Sequence, residues 1–194
     1  MSSRIITVPN LLTVFRMALI PVFVSLLFYQ KFLLALAAFA LAGITDGLDG
    51  LLARRFHQQS PLGRILDPVA DKMMLVTSFV VLSMRSVFPG PIPKHLPVPF
   101  WVTITVISRD VFIVVGAAAI NMVTGFRGFQ PSTLGKISTA VQILAVAAVM
   151  VAAQTRVGAG YYLPTLYTSV FTLALASGIH YIFFVSRLIN QDRD

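Results

Sequence analysis

The sequence contains no cysteine and no glutamate, and only 11% of its 194 residues are charged. Without cysteine, the chain has no disulfide, no thiolate metal site and no cysteine nucleophile. A soluble globular domain has about 25% charged residues, so water is not the main solvent of this chain, in which 57% of residues are apolar. The net charge of +8 then favours anionic lipid headgroups over nucleic acid as the partner.

Six apolar stretches follow one another along the chain, each near the roughly 20 residues that a transmembrane helix needs. Short polar segments with Pro or Gly separate them, and none is long enough for a second domain. The N-terminal segment lacks a small-residue cleavage site, so we expect it to be retained. We predict an all-α fold, one domain over residues 1–194 that forms a polytopic membrane bundle of six transmembrane helices. The stretches are 10–29, 32–55, 67–88, 98–121, 134–155 and 162–187.

The basic residues are shared unequally between the two sides that this topology creates. Placing both termini in the cytoplasm gives that side more cations than the other, as the positive-inside rule requires. We therefore expect cytoplasmic N- and C-termini and a multi-pass protein of a bacterial inner (cytoplasmic) membrane. The cytoplasmic set is Arg4, Arg54, Arg55, Arg64, Arg127, Lys136, Arg187 and Arg193, against Lys31, Arg85, Lys94 and Arg156.

Four of the seven aspartates, Asp46, Asp49, Asp67 and Asp71, fall in one window on the cytoplasmic side. An ionised carboxylate at membrane depth costs about 2.5–3.5 kcal/mol, so several together need a compensating partner. The first two are spaced i,i+3 and the last two i,i+4, which places each pair on one face of a helix. The turn signal at 59–63 allows the two helices to run antiparallel. Oxygen ligands of this kind prefer hard cations, so we predict an Mg²⁺ or Mn²⁺ site.

Two other interpretations of these aspartates are open. They could form salt bridges with neighbouring cations, which would explain one pair more easily than all four. They could also line the pathway of a cation transporter, because intramembrane acids are typical of ion pathways. The acids cluster at one membrane edge beside arginines, however, where a phosphate-bearing ligand would fit better. The neighbouring cations are Arg54, Arg55, Arg64 and Lys72.

The pattern Asp46-x2-Asp49-Gly50-x2-Ala53-Arg54-x8-Gly63-x3-Asp67-x3-Asp71 resembles the complete signature of the CDP-alcohol phosphatidyltransferase family. The resemblance implies that the four aspartates hold one or two divalent ions on the pyrophosphate of CDP-diacylglycerol. It also implies that Asp71 takes the proton of an alcohol acceptor, that CMP leaves, and that the protein is a homodimer. An inactive scaffold is disfavoured, since no signature position is missing. The implied nucleotide-binding residues are Asp49, Gly50, Ala53, Arg54 and Gly63.

Two further segments resemble the branch of that family that makes phosphatidylglycerophosphate and cardiolipin. They are Pro9-Asn10-Leu11-x-Thr13-x2-Arg16 and Ser108-Arg109-Asp110. Arg16 either contacts a phosphate inside the bundle or extends to the membrane surface. Arg109 either contacts an acceptor phosphate or pairs with Asp110 or a carboxylate of the second helix. The candidate acceptor-binding residues are Arg109, Lys136, Arg127 and Arg16, with solvation as the alternative for Arg127.

The acceptor itself is predicted from two departures from the glycerol-3-phosphate enzymes. Ala117 and Ser138 stand where the resemblance would place basic residues. With fewer cations, the pocket has fewer groups to bind phosphate. This favours phosphatidylglycerol as the acceptor, as in a CMP-forming cardiolipin synthase. Glycerol-3-phosphate is the alternative acceptor.

Overall fold

The residues that the structure describes form a bundle of six α-helices. The computed structural model describes the backbone of residues 8–56, 63–88, 90–91, 94–124, 133–155 and 159–191, and the side chains of residues 11–47, 70, 72–88, 90–91, 94–116, 122, 133–155 and 159–182. Within these ranges there is no strand, so the predicted all-α class is confirmed. The helices are α1 (Val8–Phe28), α2 (Phe32–Phe56), α3 (Gly63–Leu82), α4 (Phe100–Thr124), α5 (Thr133–Thr155) and α6 (Ala159–Gln191).

Two helices differ from the predicted stretches by more than two residues at each end. The third stretch was expected over 67–88, but α3 covers Gly63–Leu82, and a short 3₁₀ turn follows at Arg85–Val87. The Val98 backbone N–H donates to the Leu82 carbonyl at 3.0 Å, so the returning chain satisfies a carbonyl that the helix leaves free. The sixth helix extends past both ends of its apolar run, because hydropathy marks the apolar part of a helix and not its hydrogen-bonded ends.

Among the described residues, three helices contain segments that are long and apolar enough to cross a bilayer. They are Leu11–Phe28, Thr133–Thr155 and Ala159–Ile182, whereas α2 and α3 contribute shorter apolar segments, Phe32–Gly47 and Lys72–Leu82. Among the residues with described side chains, many large apolar groups face outward and ten polar or charged residues are buried. Apolar outside and polar inside is the distribution expected in lipid. The chain is a membrane-integral helical protein.

Contacts between helices fix their relative directions. Phe23 of α1 packs on Phe39 of α2 with ring centroids 5.9 Å apart, and Arg16 meets Asp46 further along, so α1 and α2 are antiparallel. The Thr103 hydroxyl of α4 donates to the Phe79 carbonyl of α3.

The direction of α4 relative to its neighbours follows in the same way. Lys72 precedes Phe79 in α3, whereas its partner Asp110 follows Thr103 in α4. The two helices are therefore antiparallel. Trp101 packs on Phe171 and Phe112 on Tyr181, so α4 and α6 are parallel.

These directions bring the charged side chains of different helices to the same end of the bundle. We call it the polar end and define it by Arg16 on α1, Asp46 on α2, Lys72 on α3, Arg109 and Asp110 on α4, and Lys136 on α5. At the opposite end, an aromatic stack and a side-chain hydrogen bond join neighbouring segments. Phe32 stacks on Phe88 at 5.5 Å, and the Tyr167 hydroxyl donates to the His95 carbonyl at 3.0 Å.

Candidate active site at the polar end

The first charged contact of the polar end joins α1 to α2. Arg16 Nη1 lies 2.6 Å from Asp46 Oδ1. The Arg16 side chain is 1% exposed and that of Asp46 is 38% exposed, so the pair connects the bundle interior to its surface. Of the two predicted orientations of Arg16, the structure has the interior one. A guanidinium buried this deeply needs an anionic or hydrogen-bonded partner, and Asp46 supplies it.

The second charged contact is a cluster that joins the other four helices. Asp110 Oδ1 accepts from Lys72 Nζ at 2.5 Å and from Arg109 Nη1 at 2.7 Å. Arg109 Nη2 donates to Ser177 Oγ at 2.9 Å and to the Gly135 carbonyl at 3.5 Å. Arg109 thus has the neighbouring aspartate as its ion-pair partner, one of the alternatives predicted for it. We call Lys72, Arg109, Asp110 and Ser177 the α4 cluster.

The α4 cluster retains hydrogen-bonding capacity that its own contacts do not use. Within the described part of the chain, Arg109 Nε and Asp110 Oδ2 are buried and have no hydrogen-bond partner. Arg109 is 9% exposed and Asp110 is 7% exposed. A buried polar atom without a partner costs about 1–3 kcal/mol, so each one needs an explanation, such as a bound group, an ion or a water molecule. The cluster is therefore a candidate site for a bound group, in addition to its structural ion pairs.

Helix α5 adds buried polar groups on its first turns. Ser138 and Gln142 are both fully buried, and Gln142 Nε2 lies 3.4 Å from Ser138 Oγ. The Gln142 Oε1 atom is a further buried acceptor without a partner among the described residues. Lys136, on the same turns, is exposed. The start of α5 thus presents a cation at the surface and neutral polar groups in the interior.

The remaining residues predicted for the site divide into two groups. Asp49, Gly50, Ala53 and Arg54 lie on the last turns of α2, and Gly63, Asp67 and Asp71 lie on the first turns of α3. The backbone directions put both segments at the polar end, but these side chains lie outside the described set. Arg127 lies outside the described residues altogether. Their predicted roles stay predictions.

The fit of the site to a divalent metal can be judged from its donors. Asp46 is a partly exposed carboxylate at the polar end, and α2 and α3 are continuous helices through all four aspartate positions. The i,i+3 and i,i+4 spacings therefore keep their helical register. Among the side chains that are described, no three His, Asp or Glu residues come together. Carboxylate oxygens fit a hard cation such as Mg²⁺, and the four aspartates remain its predicted ligands.

Sequence reasoning predicted only Arg109 of the α4 cluster as a site residue. Asp110 was considered only as a possible ion-pair partner of Arg109. Lys72 was considered only as a salt-bridge partner of the aspartates, although it directly follows Asp71 and sits inside an apolar run. Such a charge in a membrane helix is a usable signal. Ser177 gave no signal, because a serine among alanines and glycine in a helix is typical of close helix packing.

Comparison with known proteins shows the family to which the chain belongs. A family model described as CDP-alcohol phosphatidyltransferase matches residues 6–182. That range includes α1 to α5, the part of α6 up to residue 182, and every described residue of the polar end. The chain belongs to the CDP-alcohol phosphatidyltransferase family.

Individual relatives come from two enzyme groups within the family. The chain is 33% identical to the human cardiolipin synthase (CMP-forming), in an alignment of length 192 that covers 90% of this chain and 60% of the human protein. It is 31% identical to the CDP-diacylglycerol–glycerol-3-phosphate 3-phosphatidyltransferase of Blochmanniella floridana, in an alignment of length 194 that covers 96% of this chain and 95% of that protein. A 79-residue segment is 51% identical to the Pseudomonas fluorescens protein of the same name. The chain thus spans less than two thirds of the human relative.

Proposed function

We propose that this protein is a phospholipid-synthesising enzyme that transfers a phosphatidyl group from CDP-diacylglycerol to an alcohol and releases CMP. The observation that carries the proposal is the polar end. Six helices bring buried cations, carboxylates and hydroxyls to the end of the bundle where the motif of α2 and α3 lies. Buried charges in a membrane protein are costly and mark functional sites. Family membership makes phosphatidyl transfer the reaction that these charges support.

The proposed roles follow the motif along α2 and α3. Asp46, Asp49, Asp67 and Asp71 hold one or two Mg²⁺ or Mn²⁺ ions, which when bound would offset negative charge on the diphosphate and the leaving CMP. Asp71 also accepts the proton of the acceptor hydroxyl. Arg16 holds Asp46 in place by the ion pair described above. The nucleotide lies against Asp49, Gly50, Ala53, Arg54 and Gly63.

The acceptor is proposed to bind beside α4 and α5. Arg109 is a buried cation at the polar end, and Lys136 is an exposed cation on the first turn of the neighbouring helix. A phosphate or phosphodiester group could approach both, with Arg127 and Arg16 as further candidates. Phosphatidylglycerol is the proposed acceptor, because Ser138 is a buried neutral residue where a second lysine would favour a more highly charged acceptor. Glycerol-3-phosphate is the alternative, and it has support in the relative from Blochmanniella floridana.

The proposed setting is a bacterial inner membrane, with all six helices spanning it as a single domain over residues 1–194. Both termini and the polar end face the cytoplasm, where a nucleotide-activated lipid headgroup is accessible. This orientation rests on the distribution of Lys and Arg in the sequence. We propose a homodimer as the working assembly.

A direct assay tests the function. The purified protein in detergent–lipid micelles is mixed with CDP-diacylglycerol that carries a label in its cytidine group. Mg²⁺ and either phosphatidylglycerol or glycerol-3-phosphate are added. We expect labelled CMP release that depends on an acceptor, and mass spectrometry of the lipid product identifies which acceptor reacts. Removal of divalent ions by EDTA is expected to stop the release, and Mg²⁺ or Mn²⁺ to restore it.

A cation transporter is the second candidate class, because the polar end contains membrane-embedded carboxylates. It predicts no CMP release with either acceptor, together with cation flux into liposomes that contain the protein. Observing flux without CMP release would overturn the proposed enzyme.

A further inference from the structure

We infer that Asp110 and Ser177 are positioning residues that hold the Arg109 guanidinium for the acceptor, and that Asp110 also ties it to α3 through Lys72. This inference rests on the proposed function, since Asp110 and Ser177 contact a residue of the proposed acceptor site. Neither Asp110 nor Ser177 belongs to the metal or nucleotide motif. Their contribution is to fix where the acceptor lies relative to the proposed base.

The Arg109 guanidinium is hydrogen-bonded at both of its terminal nitrogens. Its two terminal nitrogens are held by different helices, Nη1 by Asp110 on α4 at 2.7 Å and Nη2 by Ser177 on α6 at 2.9 Å. Two hydrogen bonds to opposite ends of a planar guanidinium fix its plane as well as its position. The Nε atom remains without a partner within the described residues. Arg109 is therefore a fixed cation with N–H donor capacity that the contacts described above do not use.

The Asp110 carboxylate is shared by two cations. One carboxylate oxygen, Oδ1, accepts from both Arg109 and Lys72. The two cations and the carboxylate therefore form one contact group with a net charge of +1. That net positive charge suits an anionic acceptor group better than a neutral one. Lys72 is the residue after Asp71 in α3. The shared oxygen thus connects the proposed acceptor cation to the helix that carries the proposed base.

The reason for expecting a kinetic consequence is geometric. Phosphoryl-type transfer depends on aligning the attacking hydroxyl with the attacked phosphorus, and small misplacements lower the rate strongly. A guanidinium on a long side chain has several rotamers, and fixing one in advance lowers the cost of binding. Losing Asp110 or Ser177 should therefore weaken acceptor binding more than binding of CDP-diacylglycerol.

The test measures CMP release by the full-length protein with varied acceptor and with varied CDP-diacylglycerol. It uses whichever of phosphatidylglycerol and glycerol-3-phosphate the unmodified protein accepts. We expect Asp110→Asn to raise the acceptor KM by about 10-fold or more, because hydrogen bonds to charged groups are among the stronger ones. We expect Ser177→Ala to raise it by about 3-fold or more, because a neutral hydroxyl contributes less. The KM for CDP-diacylglycerol should stay within about 2-fold in both variants, since misplacing Arg109 acts on the acceptor side.

A matched control separates positioning from general packing. Thr103→Val removes the other side-chain hydrogen bond described between α4 and α3, from the Thr103 hydroxyl to the Phe79 carbonyl. It lies two turns away from Asp110 and outside the polar end. We expect both KM values to be unchanged in this variant. A similar rise in acceptor KM for Thr103→Val would show that helix packing, and not Arg109, controls acceptor binding, and would overturn the inference.

A double-mutant cycle tests whether Asp110 acts through Arg109. In an Arg109→Gln background, Asp110→Asn is expected to cause no further rise in acceptor KM, because the group that it positions is gone. Additive effects would contradict the inference. If Asp110→Asn does not fold, Ser177→Ala decides in its place, and an unchanged acceptor KM in that variant overturns it. An unmodified protein that releases no CMP would refute the proposed function itself, which is a different result from active variants with unchanged kinetics.

Discussion

The Arg16 guanidinium contacts the Asp46 carboxylate at 2.6 Å, and this pair links two sequence segments that are far apart in the chain. Arg16 ends the Pro9–Arg16 segment of α1, and Asp46 begins the aspartate motif of α2. Because Arg16 is fully buried, its charge is matched mainly by protein groups and not by solvent. The pair therefore holds the first carboxylate of the motif in a defined position.

Replacing Arg16 tests that relationship. Arg16→Gln is expected to lower the free energy of unfolding by about 1–3 kcal/mol, because it removes the cation from a pair with one buried partner. The loss should stay below that of a fully buried pair, since Asp46 is 38% exposed and keeps some solvation. Thermal unfolding in detergent measures it. Arg85→Gln is the matched control, because Arg85 is exposed at the opposite end and donates to the nearby carbonyls of Phe88 and Gly90. Equal losses in the two variants would contradict the assigned role of the pair.

The proposed base is tested by a substitution that keeps its shape. Asp71→Asn should lower the rate of CMP release by about 10²–10⁴-fold, the usual contribution of a positioned general base, or more if a metal ligand is lost with it. The rate is measured at saturating CDP-diacylglycerol, acceptor and Mg²⁺. Asp192→Asn makes the same chemical change outside the motif and should leave the rate unchanged. Full activity in Asp71→Asn would remove Asp71 as the base.

The exposed cation of α5 is tested against an exposed cation at the other end. Lys136→Gln is expected to raise the acceptor KM by about 3- to 10-fold while the CDP-diacylglycerol KM stays the same, because an exposed ammonium contributes about 1 kcal/mol or slightly more to binding an anion. Lys94→Gln removes an exposed lysine at the opposite end of the bundle and should change neither value. An effect of Lys94→Gln equal to that of Lys136→Gln would indicate a general surface-charge effect and not a site.

The packing of α4 against α6 is tested at a glycine. A Cβ on Gly116 would lie 2.8 Å from Cε1 of the Tyr181 ring, which is closer than real side chains approach one another. Gly116→Ala should therefore cost about 1–3 kcal/mol of unfolding free energy, as overpacking usually does. Gly178→Ala is the control, because its Cβ would meet nothing within 4 Å and alanine favours a helix by up to about 1 kcal/mol. A Gly116→Ala protein as stable as the Gly178→Ala protein would show that Tyr181 can move aside without cost.

Helix positions were largely predictable, because a long apolar run has few alternatives to a helix in lipid. The predicted stretches 10–29 and 134–155 match α1 and α5 within two residues at each end. The end of α3 was not predictable. It ends at Leu82 through a hydrogen bond from Val98, a residue on the far side of a Pro-rich loop, and such a partner is invisible in local sequence.

Sequence alone determined that the chain is helical, that it is suited to a membrane, and that its acids concentrate in one window with helical spacing. These features depend on composition and on distances along the chain, which hydropathy and the helical period translate directly into structure. Only the tertiary structure decided the partners of the charged side chains. Arg16 could have pointed to lipid headgroups, and Arg109 could have paired with α2, until helix directions placed Asp46 beside one and Asp110 and Ser177 beside the other. Charge pairing depends on distances through space, and those follow from how the six helices pack.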